Sequence, residues 1–495
     1  MDDTPPQPRE QGDAGTAGRE GTAGEPPAEP GPASRGPGGR RRRVLIASVA
    51  GCAVLGGALT LLPWGRGPDG PSEPEPWARA RAAVTAGVPA ALPDVEALVE
   101  DRERRVRDDP RDASAWALLG AARVERGRRL ADPASYSRAE EALRTSLKVR
   151  PKGNAAALRG MAALANARGD HGGARTWAEA ARKLEPKRWT SYPPLIEACA
   201  GLGDLEAVGP LLDRLVKLRP GPAVKARKAA VYRERGWRED AAAQIADAAA
   251  GADDPAERAA YLAQAGELAW ERGERENALR HFREAVRLDP DRWEARAGQG
   301  RALAALGRTP EALSAYRVAL AKQPLPQYAL ELGELYESLG RRQDAGAQYA
   351  LLRELVRKAA GHGVDGDLVL GRLEADHGDA GAAVRRLRAE YRQRPSAAGA
   401  DALAWALHRD GEHEEALRYA VRATEGEHGG GVRSALHVFH RGMIERALER
   451  YGPARRHLRE ALRINPYFSP LRVPEARAAL ARLGEPSVAA GPESS

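Results

Sequence analysis

Along most of the chain, apolar residues recur at three- and four-residue intervals between charged ones. In NALRHFREAVRLDP, residues 277–290, Ala278, Phe282 and Ala285 share one face, arginines and glutamates take the other, and Pro290 ends the run. That spacing predicts an amphipathic helix. Two stretches break the pattern. Residues 1–39 are almost wholly Pro, Gly, Ala, Glu, Asp, Thr and Gln with isolated Arg, too little apolar surface to offset chain entropy, so 1–43 are expected to be a disordered tail. Residues 44–64 carry no charge at all; as a helix they would span about 31 Å, enough to cross a bilayer core.

Arg40–Arg43 precede that run and no comparable cluster follows it. The positive-inside rule then predicts a transmembrane helix with its N-terminus in the cytoplasm and everything beyond Trp64 outside. Two other readings stay open, a cleaved signal peptide and a lipoprotein box at VAGC ending on Cys52, and both also export the rest of the chain. A buried soluble helix that happens to follow arginines would not. Residues 65–93, opening on GRGPDGPSEPEP, read as a linker, and 487–495 as a second disordered tail.

The helical runs are punctuated at a fixed interval. Prolines close them at 151, 186, 220, 255, 290 and 324, separated by 35, 34, 35, 35 and 34 residues; Pro395 and Pro466 follow at 71 each, two periods with the middle proline missing near 359 and near 430. Ten repeats follow from this spacing, because proline cannot readily continue a helix. Within one repeat the residues are Leu262, Gly266, Ala269, Gly273, Ala278, Phe282, Ala285 and Pro290; others carry Trp116, Leu119 and Gly120, or Leu332, Gly333 and Tyr349, or Leu370, Gly371 and Ala383, or Gly442, Leu458 and Ala461. A small residue in the first helix lets the second approach, and a bulky one fills the gap between them.

Period and residues together resemble the tetratricopeptide repeat over about residues 110–470. The resemblance implies an all-α, right-handed solenoid of about ten helix-turn-helix units within 94–486, with capping helices at 94–108 and 474–484. The fit is weaker at 222–255 and 397–430, where alanines replace large residues. Two departures from the period stand out: RLADPASYS, with about six extra residues between the helices of the first repeat, and KAAGHGVDG at 358–366. The harmless reading is favoured over a binding loop for both. The C-terminal stretches HRGMIERAL and LRINPYFSPL resemble membrane-anchored actinobacterial proteins of this type, which implies a role accessory to transport or envelope assembly.

Composition narrows the function. Aromatic residues are 5% of the chain, and 77 basic side chains are mixed with 69 acidic ones for a net +8; no long basic stripe with interleaved aromatics marks a nucleic-acid surface. There is no GxxxxGK[ST], GxSxG, CxxC or HExxH, so neither an enzyme nor a cofactor is expected. Cys199 falls where the repeat buries a large residue. His437 and His440 lie one helical turn apart and could offer two metal ligands, but no third is evident in the sequence.

What remains is the concave surface. The resemblance implies that first-helix positions line it, which nominates Glu267, Trp270, Glu271, Arg301, Glu334, Glu337, Arg372, Asp376, Trp405, His408 and Arg409 as a groove for a protein or extended peptide. The rival reading is direct binding of a metal or glycan by the histidine-rich last third. Self-association through the array ends is a third.

Overall fold

The computed structural model describes residues 74–425 and 433–484. Their regular structure is helical: 23 α-helices, a single 3-10 turn at Trp189–Ser191, and no strand among the described residues. The expected tail 1–43, the apolar run 44–64 and the tail 487–495 lie outside them. No helix among the described residues is long and apolar enough to cross a membrane.

Consecutive helices pair as hairpins, and ten such pairs follow one another. Repeat 1 is Ala113–Leu130 with Pro133–Val149, repeat 2 Ala155–Arg168 with His171–Leu184, and repeat 3 Pro193–Gly201 with Leu205–Leu218. Repeat 4 is Pro222–Glu234 with Arg238–Gly251, repeat 5 Pro255–Glu271 with Arg275–Leu288, and repeat 6 Trp293–Ala305 with Thr309–Lys322. Repeat 7 is Pro326–Ser338 with Arg342–Ala360 and repeat 8 Asp367–His377 with Ala380–Gln393. Repeats 9 and 10 are Ala397–Arg409 with His413–Glu425 and Ala435–Ala447 with Tyr451–Ile464. A last helix, Arg472–Leu483, caps the array.

The packing inside a repeat follows from its small residues. A Cβ added to Gly266 would come within 2.5 Å of the Phe282 ring, and one added to Gly298 of the next repeat would come within 2.4 Å of the same ring. Phe282 is therefore fully enclosed, between Ala278 and Ala285 that are themselves 0% exposed. The arrangement recurs as Gly120 against Leu143, Gly333 against Tyr349, Gly371 against Leu387 and Gly442 against Leu458. Phe282 and Leu143, which Gly160 of the next repeat also meets, each close their own hairpin and part of the following one, so a single hairpin could not bury them.

Seven of the eight spaced prolines sit two residues beyond the end of a second helix, as at Leu288 and Pro290. Pro255 differs, for it is the first residue of Pro255–Glu271, where a missing N–H is harmless and Asp254 caps the free amides of Ala256 and Glu257. Where the proline is missing near 359 the second helix runs on to 19 residues, Arg342–Ala360, against 14 in Arg275–Leu288.

Two expectations are corrected. The segment 65–93 is not wholly a linker: Pro76–Ala86 is a helix paired with Leu92–Asp108, because Trp77, Ala80 and Val84 have Val95 and Leu98 to pack on. Arg79 adds a two-pronged bond to Asp94, 2.8 Å on each side. The extra residues of repeat 1 form no loop either. They lengthen its two helices to 18 and 17 residues, which meet at Ala131, in the left-handed region at φ 48°, and Asp132, whose carboxylate caps the second.

That lengthening has a use in the fold. The array winds back on itself, so that turns inside early repeats touch junctions between later ones. Arg129, 4% exposed, reaches from repeat 1 to Asp289 at 2.8 Å and to the Asp291 carbonyl at 3.2 Å, and Gln323 donates to the Arg128 carbonyl. Arg394 donates to the Gly169 carbonyl and Asn465 to the Trp270 carbonyl. The other irregular segment, 358–366, docks the same way, with His362 on Ser137 at 2.9 Å and the Asp365 amide on the Arg168 carbonyl at 2.9 Å. The partners are 160 to 225 residues apart, which corresponds to about five to six repeats per superhelical turn.

Candidate partner-binding groove

First helices of neighbouring repeats stand side by side on the inner face, so a residue near the same place in each contributes to one wall. Repeats 5 to 10, with the edge of repeat 4 and the segment leading into the capping helix, enclose a cavity of about 760 Å³. Eight of the eleven nominated residues line it: Glu267, Trp270, Glu271, Arg301, Glu334, Arg372, Asp376 and Trp405. Glu337, His408 and Arg409 do not. All three belong to the last turn of their helices and are engaged by neighbouring side chains instead. Glu337 there accepts from the Tyr349 hydroxyl at 2.8 Å, His408 meets His413 at 3.1 Å, and Arg409 lies 3.7 Å from Asp376.

The wall is built of fixed charges. Arg301 donates to Glu267 at 2.6 Å and to both oxygens of Glu331 at 3.2 Å, with its guanidinium 5.8 Å from the centre of the Trp270 ring. The Tyr316 hydroxyl donates to Glu331 at 2.9 Å. Opposite, Asp376 accepts from the Trp405 indole at 2.9 Å and pairs with Arg472 of the capping helix at 2.5 Å. Burial works against the Asp376 charge, but Arg472 and the indole outweigh it and hold the carboxyl below its ordinary range. Glu334 lies between these clusters with no hydrogen bond or ion pair to any of the described residues. Its burial, opposed by Arg472 and reinforced by Glu331, Asp376 and Glu337, pushes its pKa up to about 8.

Both tryptophans belong to the wall itself rather than to an open face, Trp270 at 8% and Trp405 at 4% exposure. Trp405 is stacked on His440, ring centres 4.2 Å apart, and Arg472 covers it at 5.1 Å. Periodicity could not foresee this, because the covering residues come from a different repeat and from the cap.

The two histidines one turn apart are also buried, and both turn to Asp401, 1% exposed: His440 at 2.9 Å and His437 at 3.6 Å. Burial opposes the Asp401 charge, while His437, His440 and Arg372 overcome it and hold the carboxyl at about 2. Asp401 was legible only as a lone acid on the alanine-rich face AAGADALAWAL. Among the described residues, the one set of three donors close enough to share a metal is Asp365, Asp367 and Glu390, and those carboxylates are engaged by Arg386 and Arg394. Cys199 is in the core at 1% exposure, where burial raises its thiol pKa.

Residues 263–329 match the model of a tetratricopeptide repeat family. Among solved structures, the APC/C hetero-tetramer Cut9-Hcn1 aligns at 16% identity and TM-score 0.40, covering 75% of this chain and 76% of that one. The human IFIT1 dimer with PPP-AAAA aligns at 15% identity and TM-score 0.40, covering 74% and 94%. No curated protein matches the chain. The matched residues 263–329 span most of repeat 5, repeat 6 and the start of repeat 7, and repeats of this family generally serve as scaffolds for protein contacts.

Proposed function

We propose that this chain is a membrane-anchored scaffold outside the cytoplasmic membrane, a right-handed superhelix that holds an extended segment of a protein partner in the groove of repeats 5 to 10. The observation that carries the reading is the wall of charges at fixed positions on successive first helices, from Glu267 and Arg301 to Arg372 and Asp376, around a cavity of about 760 Å³. Such spacing suits a polypeptide, whose groups repeat along a line, better than a single small molecule. The anchor rests on Arg40–Arg43 and the uncharged run 44–64. A role accessory to transport or envelope assembly rests on the resemblance of the last repeat to anchored actinobacterial proteins.

Crosslinking in intact cells, followed by purification of the full chain and mass spectrometry of what it carries, tests the groove. A reproducible envelope protein is expected, lost when Arg372, on the cavity wall, is replaced by alanine; recovery of the chain alone would overturn the reading. Alkaline phosphatase fused after residue 75 should be active if the array is exported and inactive if it is not.

A further inference from the structure

The groove is not empty of polypeptide. Where repeat 10 ends, Asn465 donates to the Trp270 carbonyl at 2.8 Å, and Tyr467 lies under the Arg275 guanidinium at 4.3 Å. Tyr467, Phe468, Ser469 and Pro470 then line the cavity. Ser469 accepts from the amides of Leu471 and Arg472 and starts the capping helix. Its first residue, Arg472, is set between the Asp376 carboxylate and the Trp405 ring. An acid on the edge and an aromatic face beneath are what a planar guanidinium takes, and an ammonium uses them less well.

We propose that Asp376, Trp405 and Glu334 form a guanidinium-binding subsite which the chain fills with its own Arg472, and that the partner inserts an arginine there after displacing the segment 467–475. The proposal rests on the groove reading above. Glu334 supports it from a separate direction. Arg472 is held by a second carboxylate, Glu475, at 3.1 Å, but Glu475 belongs to the same helix and would leave with it. Glu334, on the cavity wall and unpaired among the described residues, can then accept the incoming cation and ionise as it does so.

Chemical complementation separates the parts. In the full chain, Arg472→Ala leaves a gap of the right shape, and ethylguanidinium is the probe. The melting temperature of Arg472→Ala should rise saturably with millimolar ethylguanidinium but not with ethylammonium, and neither wild type nor Arg472→Ala with Asp376→Asn should respond. No discrimination between the cations, or an equal response in the double variant, overturns the subsite. Should Arg472→Ala not fold unaided, recovery of its folding by ethylguanidinium is read identically, and Arg472→Lys serves as the folded variant, predicted to be stabilised less. For the partner, crosslinked yield from cells should rise at least about threefold in Arg472→Ala, since the bound segment no longer reduces the competent fraction. An unchanged yield with an intact guanidinium response overturns the displacement; no partner in either strain overturns the groove reading and leaves the guanidinium result standing.

Discussion

At the closest approach of its two helices, repeat 5 sets Gly266 against Phe282, whereas repeat 4 has Ala229 and Ile245 in the corresponding places. Both solutions are dry: Phe282 is 0% and Ile245 1% exposed, Ala229 2%. The comparison teaches that the repeat fixes the summed volume at the crossing rather than either residue. A larger plug needs a glycine opposite, and a smaller one tolerates a methyl group. It also explains why repeat 4 fits the family pattern poorly while burying its crossing residues as completely.

Breaking the larger plug should have the largest effect. Phe282→Ala removes a ring shared by repeats 5 and 6 and is expected to destabilise by ~3–5 kcal/mol, more than Ile245→Ala, by urea denaturation of the purified chain. Equal losses would mean that the glycine side of repeat 5 relaxes into the gap. A smaller effect sharpens the same point: Gly266→Ala drives a methyl into the Phe282 ring and should cost ~1–3 kcal/mol. Combining it with Phe282→Leu, which imports the repeat 4 solution, should recover part of that loss; an additive result would show that the two residues do not share a volume.

The fold was legible to the extent that contacts are local and periodic. Ten hairpins could be counted from prolines because each unit repeats the same short-range demands. The contacts between superhelical turns could not, since Arg129 and Asp289 are 160 residues apart and share no pattern. Yet the places where the period fails, RLADPASYS and 358–366, both take part in those contacts, through Arg129, His362 and Asp365. The groove divides likewise. First-helix positions brought eight nominated residues to one cavity, while Asp401 and Arg472 went unnoticed because one sits on a face otherwise apolar and the other lies beyond the last repeat.

Contacts between turns and contacts within a helix offer a second contrast, with a smaller expected effect. Arg129→Ala leaves buried Asp289 with Arg292, 2.9 Å away, as its remaining cation, and should loosen the superhelix by ~1–3 kcal/mol. The radius of gyration in solution scattering should rise as the turns part. Arg287→Ala removes an exposed pair with Glu284 inside one helix and should alter neither quantity. If both variants behave alike, the closure of the array does not depend on that buried pair.

A last contrast separates the two acids of the groove by pH. Glu334 has a folded pKa raised to about 8 from the ordinary 4.5 of a free glutamate, so between these values the folded chain retains a proton that the unfolded chain releases. Stability from this group is therefore full below about pH 4.5, falls as pH rises toward about 8, and is constant above. Asp376 is displaced in the opposite direction and contributes stability that is lost only as pH falls through the acid range. Glu334→Gln should then melt above the wild type by a margin that widens from about pH 5 to about pH 8 and then levels, whereas Asp376→Asn should melt below it across that window. A margin for Glu334→Gln that stays flat would mean the carboxylate is ionised while the chain's own segment fills the groove, leaving Arg472 held by three acids instead of two.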